Sequence, residues 1–189
     1  MEKKLALCLL AGIIIGIILG VESVHLSDEL VCPKDTCLDQ VQVKPVSDRG
    51  YFPEAHEILQ KAQHSIHIAS FELKYYVNYQ NSTANILVED LIEAHERGVE
   101  VKILVDEFSN ENNAFELLRE HGIELKMDSE EVTTHAKLVI VDGETVILGS
   151  TNLSFYGLEK NNEVNVVLID KQTAEYYEKY FWNLWDQAS

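Results

Sequence analysis

Cysteine is scarce in this 189-residue chain, with only Cys8, Cys32 and Cys37, too few and too unaccompanied to supply the four ligands of a structural zinc site. Basic residues are also short: 15 Lys and Arg stand against 32 Asp and Glu, for a net charge of -17. No run of Lys and Arg suited to neutralising phosphates along a nucleic acid is present. Internal repeats and low-complexity tracts are missing, so nothing points to a second functional module. The length fits one domain with an appendage.

What the chain does have is concentrated. His135-Ala136-Lys137 is followed after four residues by Asp142, and after six more by Gly149-Ser150-Thr151-Asn152. His135 and Lys137, two apart, lead into the apolar segment Leu138 to Val141, so on an extended strand both side chains leave the same face. Asp142-Gly143 suits a hairpin turn, because glycine takes positive φ freely and aspartate tolerates it. The β-branched return segment Thr145 to Leu148 reads as a second strand. Ser150 and Asn152 then share a face beside the start of the first strand, and four polar groups converge at one end of a hairpin.

Each of those groups has chemistry to offer. Imidazole near neutral pH is a nucleophile and a proton carrier, so His135 suits attack on phosphorus or acid-base work. Lys137 brings positive charge to phosphate oxygens, while Ser150 and Asn152 bring neutral donors to charge that grows in a transition state. Plainer roles are open to each: an edge-strand lysine that blunts aggregation, a serine cap, an asparagine turn. Asp142 is the weakest catalytic candidate, since a turn position fully accounts for it, and the other six histidines read as surface or satisfied core residues.

The stretch resembles the HKD signature of the phospholipase D superfamily, spacing included. By that resemblance the fold is α/β, a mixed central sheet flanked by helices, covering roughly residues 45 to 187. Glu163, just ahead of the apolar segment Val164 to Ile169, falls where the family keeps a carboxylate that orients the nucleophilic histidine. It would accept one ring proton and leave the other nitrogen free to attack. The family uses two signatures per active site, and this chain has no second H-x-K. The resemblance therefore implies a two-fold homodimer with one shared site, in which one His135 attacks while the other protonates the leaving group. It implies no cofactor and no metal.

Lys3 and Lys4 precede Leu5 to Val21, seventeen uncharged and mostly apolar residues closed by Glu22. The expectation is a membrane anchor over residues 1–21, with a cleaved signal segment as the alternative. Either way the catalytic domain is expected outside the cytoplasm, anchored, periplasmic or secreted. Cys32 and Cys37 flank a short proline-containing loop that could close as a disulfide there. Residues 22–45 are polar and turn-rich and read as a linker, with the catalytic domain at 46–189. The zinc-binding insertion of some membrane-anchored relatives, the Zucchini-type mitochondrial cardiolipin hydrolases, is not recognisable here.

Beyond the linker, strand and helix patterns alternate. Pro53 opens a helix carrying Ala55, Ile58, Leu59 and Ala62, and Ile66 to Phe71 is a strand. A helix from Ala84 to Arg97 stops at Gly98, and Val101 to Val105 reads as a strand buried on both faces. Ala114, Leu117 and Leu118 mark a helix ended by Gly122, Ile123 to Met127 a short strand, and Thr173 to Trp185 the last helix. That helix turns Ala174, Tyr177, Phe181 and Leu184 inward, and the whole order implies an α/β domain. Phe71 to Tyr76 is a candidate pocket wall with no assigned role.

Among relatives, the single signature and leading apolar segment most resemble the small bacterial periplasmic endonucleases, which are metal-independent. That resemblance implies phosphodiester hydrolysis of DNA or RNA through a phosphohistidine. The acidic balance counts against it unless Lys137 and Lys160 cluster at the site. A phospholipase acting on membrane lipids is the alternative, which an acidic surface also disfavours. A non-catalytic, membrane-tethered interaction protein ranks last, since every reactive position is filled.

Overall fold

A computed structural model describes residues 41–107, 113–129 and 131–188. The apolar run at 1–21, most of the linker, and Cys32 and Cys37 lie outside the described residues. Among those described, no helix is long and apolar enough to cross a membrane.

The described residues form seven strands: β1 (Gln42–Ser47), β2 (Ser65–Ser70), β3 (Glu100–Val105), β4 (Glu124–Met127), β5 (Lys137–Val141), β6 (Thr145–Gly149) and β7 (Val164–Ile169). They form one mixed sheet in the order β1-β7-β6-β5-β2-β3-β4. β2, β3 and β4 pair in parallel; β5, β6, β7 and β1 run antiparallel to their neighbours. The parallel pairs need crossovers, which α2 (Thr83–Glu96) and α3 (Ala114–Glu120) supply. α1 (Tyr51–Lys61) precedes β2 and α4 (Lys171–Gln187) closes the chain. This is the α/β architecture with a helix-flanked mixed sheet that the signature implied.

Strand alternation divides the interior in two. Ile66, Ile68, Val101, Ile103, Val105, Val139 and Val141 point to one face, where Ala55 and Leu59 of α1 and Leu87 and Leu91 of α2 cover them. Ala69, Leu104, Leu138, Ile140 and Val146 point to the other, beneath Ala174, Phe181 and Trp185 of α4. Each helix presents its apolar stripe to the sheet. Ser82 caps α2 by accepting the Asn85 N–H at 3.2 Å, and Asp170 caps α4 by accepting the Thr173 N–H at 2.6 Å.

Two expectations shift. The linker ends earlier than residue 45, because Gln42 to Pro45 already belong to β1. As an edge strand it exposes both faces over most of its length, so it carries no hydrophobic period to read. Pro45 is tolerated there because an edge needs fewer ladder donors. In α4, Trp185 joins Ala174 and Phe181 in the core, an inward position the sequence pattern does not assign it, while Tyr177 and Leu184, half-buried, pack against that core as expected.

Candidate active site

The carboxyl ends of β2, β3, β4 and β6 meet the amino end of β5 on one edge of the domain, where open α/β sheets place their sites. Asp142 at φ 55° and Gly143 at φ 60° make the β5–β6 hairpin turn, closed by the Glu144 N–H on the Val141 carbonyl at 3.1 Å. Both central residues adopt the left-handed region, as the tightest hairpins require. Leu138 consequently stands opposite Leu148, and the His135–Lys137 end of one strand lies beside the Gly149–Asn152 end of the other.

His135 precedes β5 and is exposed; Lys137 is half-buried. The Lys137 ammonium lies 3.1 Å from His135 Nδ1 and donates to the His135 carbonyl at 3.0 Å. Phe71, whose N–H bonds the Ala136 carbonyl at 3.1 Å, backs both: its ring centroid is 4.7 Å from that of His135 and 5.1 Å from Lys137 Nζ. Burial pushes the Lys137 ammonium below the ordinary lysine value, while the carboxylates of Glu72, Glu163 and Asp106 pull the other way. An incoming phosphate adds negative charge to the side that keeps the ammonium protonated.

The G-S-x-N segment is fixed by β7. A Cβ on Gly149 would come within 2.4 Å of the Val164 carbonyl, so only glycine permits this approach. Thr151 is buried, and Asn165 on β7 donates to its hydroxyl at 2.8 Å and accepts its N–H at 3.2 Å. With Thr151 turned inward, alternation turns Ser150 and Asn152 the other way. Ser150 accepts the Val164 N–H at 3.1 Å and donates to the Glu163 carboxylate. Asn152 Oδ1 is buried and, among the described residues, has no hydrogen-bond partner. An orphaned acceptor of this kind costs about 1–3 kcal/mol, which a ligand or a turned amide would recover.

Glu163 departs from its expected partner. Its carboxylate takes the Ser150 hydroxyl and the Asn161 amide at 3.0 Å, and its N–H bonds Asp48 at 2.8 Å. It does not hydrogen-bond His135. Its charge reaches Lys137, so in this state it acts on the ammonium and the serine rather than on the imidazole.

Asp142 lies at the opposite end of β5 from His135 and is no part of the cluster. Its carboxylate accepts the His64 N–H at 2.7 Å, the Ser65 N–H at 3.0 Å and the Gln63 N–H at 3.0 Å. It ties the hairpin to the start of β2, which is the turn role its position suggested.

Two residues escaped sequence reasoning. Asp106 and Asp128, both buried, each accept the Thr134 N–H, at 2.9 and 2.7 Å. They hold the backbone immediately before His135. The signal was available: each is the acid directly following a strand, Val105-Asp106 and Met127-Asp128, at the sheet edge where sites form. His67, the one buried histidine among the described residues, is satisfied by Glu178 at 2.8 Å and Glu100 at 3.2 Å. Among the described residues no three or more His, Cys, Asp or Glu side chains gather as a metal cage.

Known proteins resemble this chain in sequence and fold. The domain family described as "Cardiolipin synthase, PLD-like domain" matches residues 56–185. "Phospholipase D" of Rickettsia typhi is 29% identical over 184 residues, covering 87% of this chain and 85% of its own. A mitochondrial cardiolipin hydrolase of Chlamydomonas reinhardtii is 30% identical over 98 residues, about half of each chain at 51% and 44%. Among solved structures, the phospholipase D family member Nuc from Salmonella typhimurium superposes with a TM-score of 0.70 at 26% identity, over 79% of this chain and 97% of that one.

Proposed function

The chain belongs to the phospholipase D superfamily as a phosphodiesterase, and from that premise we propose that it cleaves nucleic acid through a phosphohistidine on His135. The observation that carries the chemistry is the Lys137 ammonium 3.1 Å from the His135 ring beside the Ser150–Asn152 edge. The unprotonated ring nitrogen of His135 attacks phosphorus as the bond to the leaving oxygen breaks. Lys137 and the Asn152 amide meet the charge gathering on the non-bridging oxygens, with Ser150 assisting. A second imidazolium gives its proton to the leaving oxygen. The same imidazole then takes a proton from water, whose hydroxide breaks the phosphorus–nitrogen bond and frees His135 with a phosphomonoester product.

This chain contains one His-Lys pair, and His135 is exposed. Both observations favour a homodimer whose second His135 supplies the acid and covers the first. Mixing wild-type chains with His135→Ala chains should then lower activity out of proportion to the dilution, and a fully active monomer would sink the idea. The reading extends to the N-terminal apolar run as a membrane anchor, with the catalytic domain outside the cytoplasm.

Nucleic acid is favoured over lipid by the single signature behind a leading apolar segment, the pattern that resembles the small bacterial periplasmic endonucleases. Phospholipid is the second reading, supported by the name of the Rickettsia relative. The full chain should cleave DNA or RNA with chelator present, and lose that activity on His135→Ala. Turnover of phosphatidyl lipids alone would reverse the assignment.

A further inference from the structure

A chain of net charge -17 that acts on a polyanion needs affinity from something other than a basic face. Duplex binding draws chiefly on neutralised phosphates. Stacking of unpaired bases on aromatic rings draws on no such charge.

Two segments leave the His135 pocket side by side. Residues 71–76 run out from β2, beginning with Phe71 against the His135 ring, and residues 150–155 run out from β6. They are joined by the Lys74 N–H on the Leu153 carbonyl at 3.0 Å and the Leu153 N–H on the Glu72 carbonyl at 3.2 Å. Both end in aromatic residues. The Tyr76 hydroxyl accepts the Phe155 N–H at 3.0 Å. Tyr79 and Tyr156 each pack 5.7 Å from Phe155, at 80° and 83°, and the Lys160 ammonium sits 5.0 Å over the same ring. Around a half-buried Phe155, the packing leaves the outer rings open, Tyr79 54% and Tyr156 65% exposed. A hollow of about 360 Å³ lined by Tyr75, Tyr76, Val77, Asn78, Tyr79 and Asn113 opens alongside. The turn carrying Tyr156 to Lys160 rests directly on the phosphate edge: a Cβ on Gly157 would lie 2.3 Å from the Asn152 carbonyl.

We propose that Tyr79, Phe155, Tyr156 and Lys160 form a base-stacking subsite for single-stranded nucleic acid, adjoining the scissile phosphate. The inference rests on the nucleic-acid reading above and adds strand preference to it. Rings supply the affinity that the acidic surface withholds, and only unpaired bases offer faces to them. Lys160 supplies the local cation. The three residues from Asn152 to Phe155 span at most about 11 Å, within reach of a nucleotide flanking the one being cut.

Binding is measured with the full chain carrying His135→Ala, which holds substrate without cutting it, on a labelled single-stranded oligonucleotide and its duplex by fluorescence anisotropy. The single strand should bind more tightly, with a shallow salt dependence. Adding Tyr79→Ser and Tyr156→Ser should weaken single-strand binding about tenfold or more, while Tyr79→Phe with Tyr156→Phe should restore it. Equal affinity for duplex, or a serine variant that binds as before, overturns the subsite. So does a serine variant that loses binding to phosphatidylcholine vesicles and keeps the oligonucleotide, which makes the patch a membrane rim. Active full chain that cuts duplex and single strand equally leaves the nuclease reading standing and removes only this one. Cleavage of phospholipid without cleavage of nucleic acid removes both.

Discussion

The two ends of β5 carry residues of one signature and do opposite things. At the Lys137 end, the ammonium and the exposed imidazole face each other at 3.1 Å, and Asn152 keeps an acceptor without a partner among the described residues. At the Asp142 end the carboxylate is fully engaged by the backbone N–H groups of Gln63, His64 and Ser65. Unspent hydrogen-bonding capacity marks where a ligand is received; saturated capacity marks where the fold is fastened. A shared motif therefore does not mean a shared role, and the difference lies in what each polar atom already touches.

Substitutions sharpen that contrast. His135→Ala should lower turnover by about a thousandfold or more with the thermal midpoint unmoved. Lys137→Met should cost about 10²–10³ in turnover and yet raise the thermal midpoint. A lysine whose folded pKa is depressed binds fewer protons folded than unfolded between its two pKa values, so its burial cost is present at neutral pH and disappears as pH rises past the ordinary lysine range. Removing the charge removes the cost, a trade expected where function is bought with stability.

At the other end the pattern should invert. Asp142→Ala should destabilise the fold by about 1–3 kcal/mol, read as a lower denaturation midpoint, with turnover per folded molecule retained. If Asp142→Ala instead abolished turnover in a protein of normal stability, the division between the two ends would fail. Asp128→Asn should fall between them, lowering turnover by no more than about tenfold, because Asp106 still accepts the Thr134 N–H. The smallest effect concerns pH: the alkaline limb of kcat/KM should begin below the ordinary lysine range and move upward in any Lys137→Arg variant that keeps measurable activity, since guanidinium stays protonated.

Much of this was legible before the structure. Buried strands such as Val101 to Val105 announce themselves through continuous apolar character, and the Asp142-Gly143 turn through φ preference. Strand period and hairpin register predicted His135, Lys137, Ser150 and Asn152 at one end of the hairpin; the β5–β6 register sets the two segments side by side there, with Lys137 alone of the four inside a strand. β1 was not legible, because an edge strand exposed on both faces has no period. The partners of Glu163 were not either, because the carboxylate is held by Asn161 and Ser150 through loop geometry that no spacing encodes. Asp106 and Asp128 converge on one N–H from strands distant in sequence, and Tyr79 meets Phe155 across the same kind of distance. Such meetings are products of sheet order.

Rapid quench of the full chain during turnover of a radiolabelled phosphodiester, held at alkaline pH where phosphohistidine survives, locates the covalent intermediate by peptide mapping. Label should reside on the peptide containing His135, persist in Asp142→Ala and vanish in His135→Ala. Turnover with no label on that peptide, or label carried by another residue, would show that the amino end of β5 is not where the phosphoryl group is received.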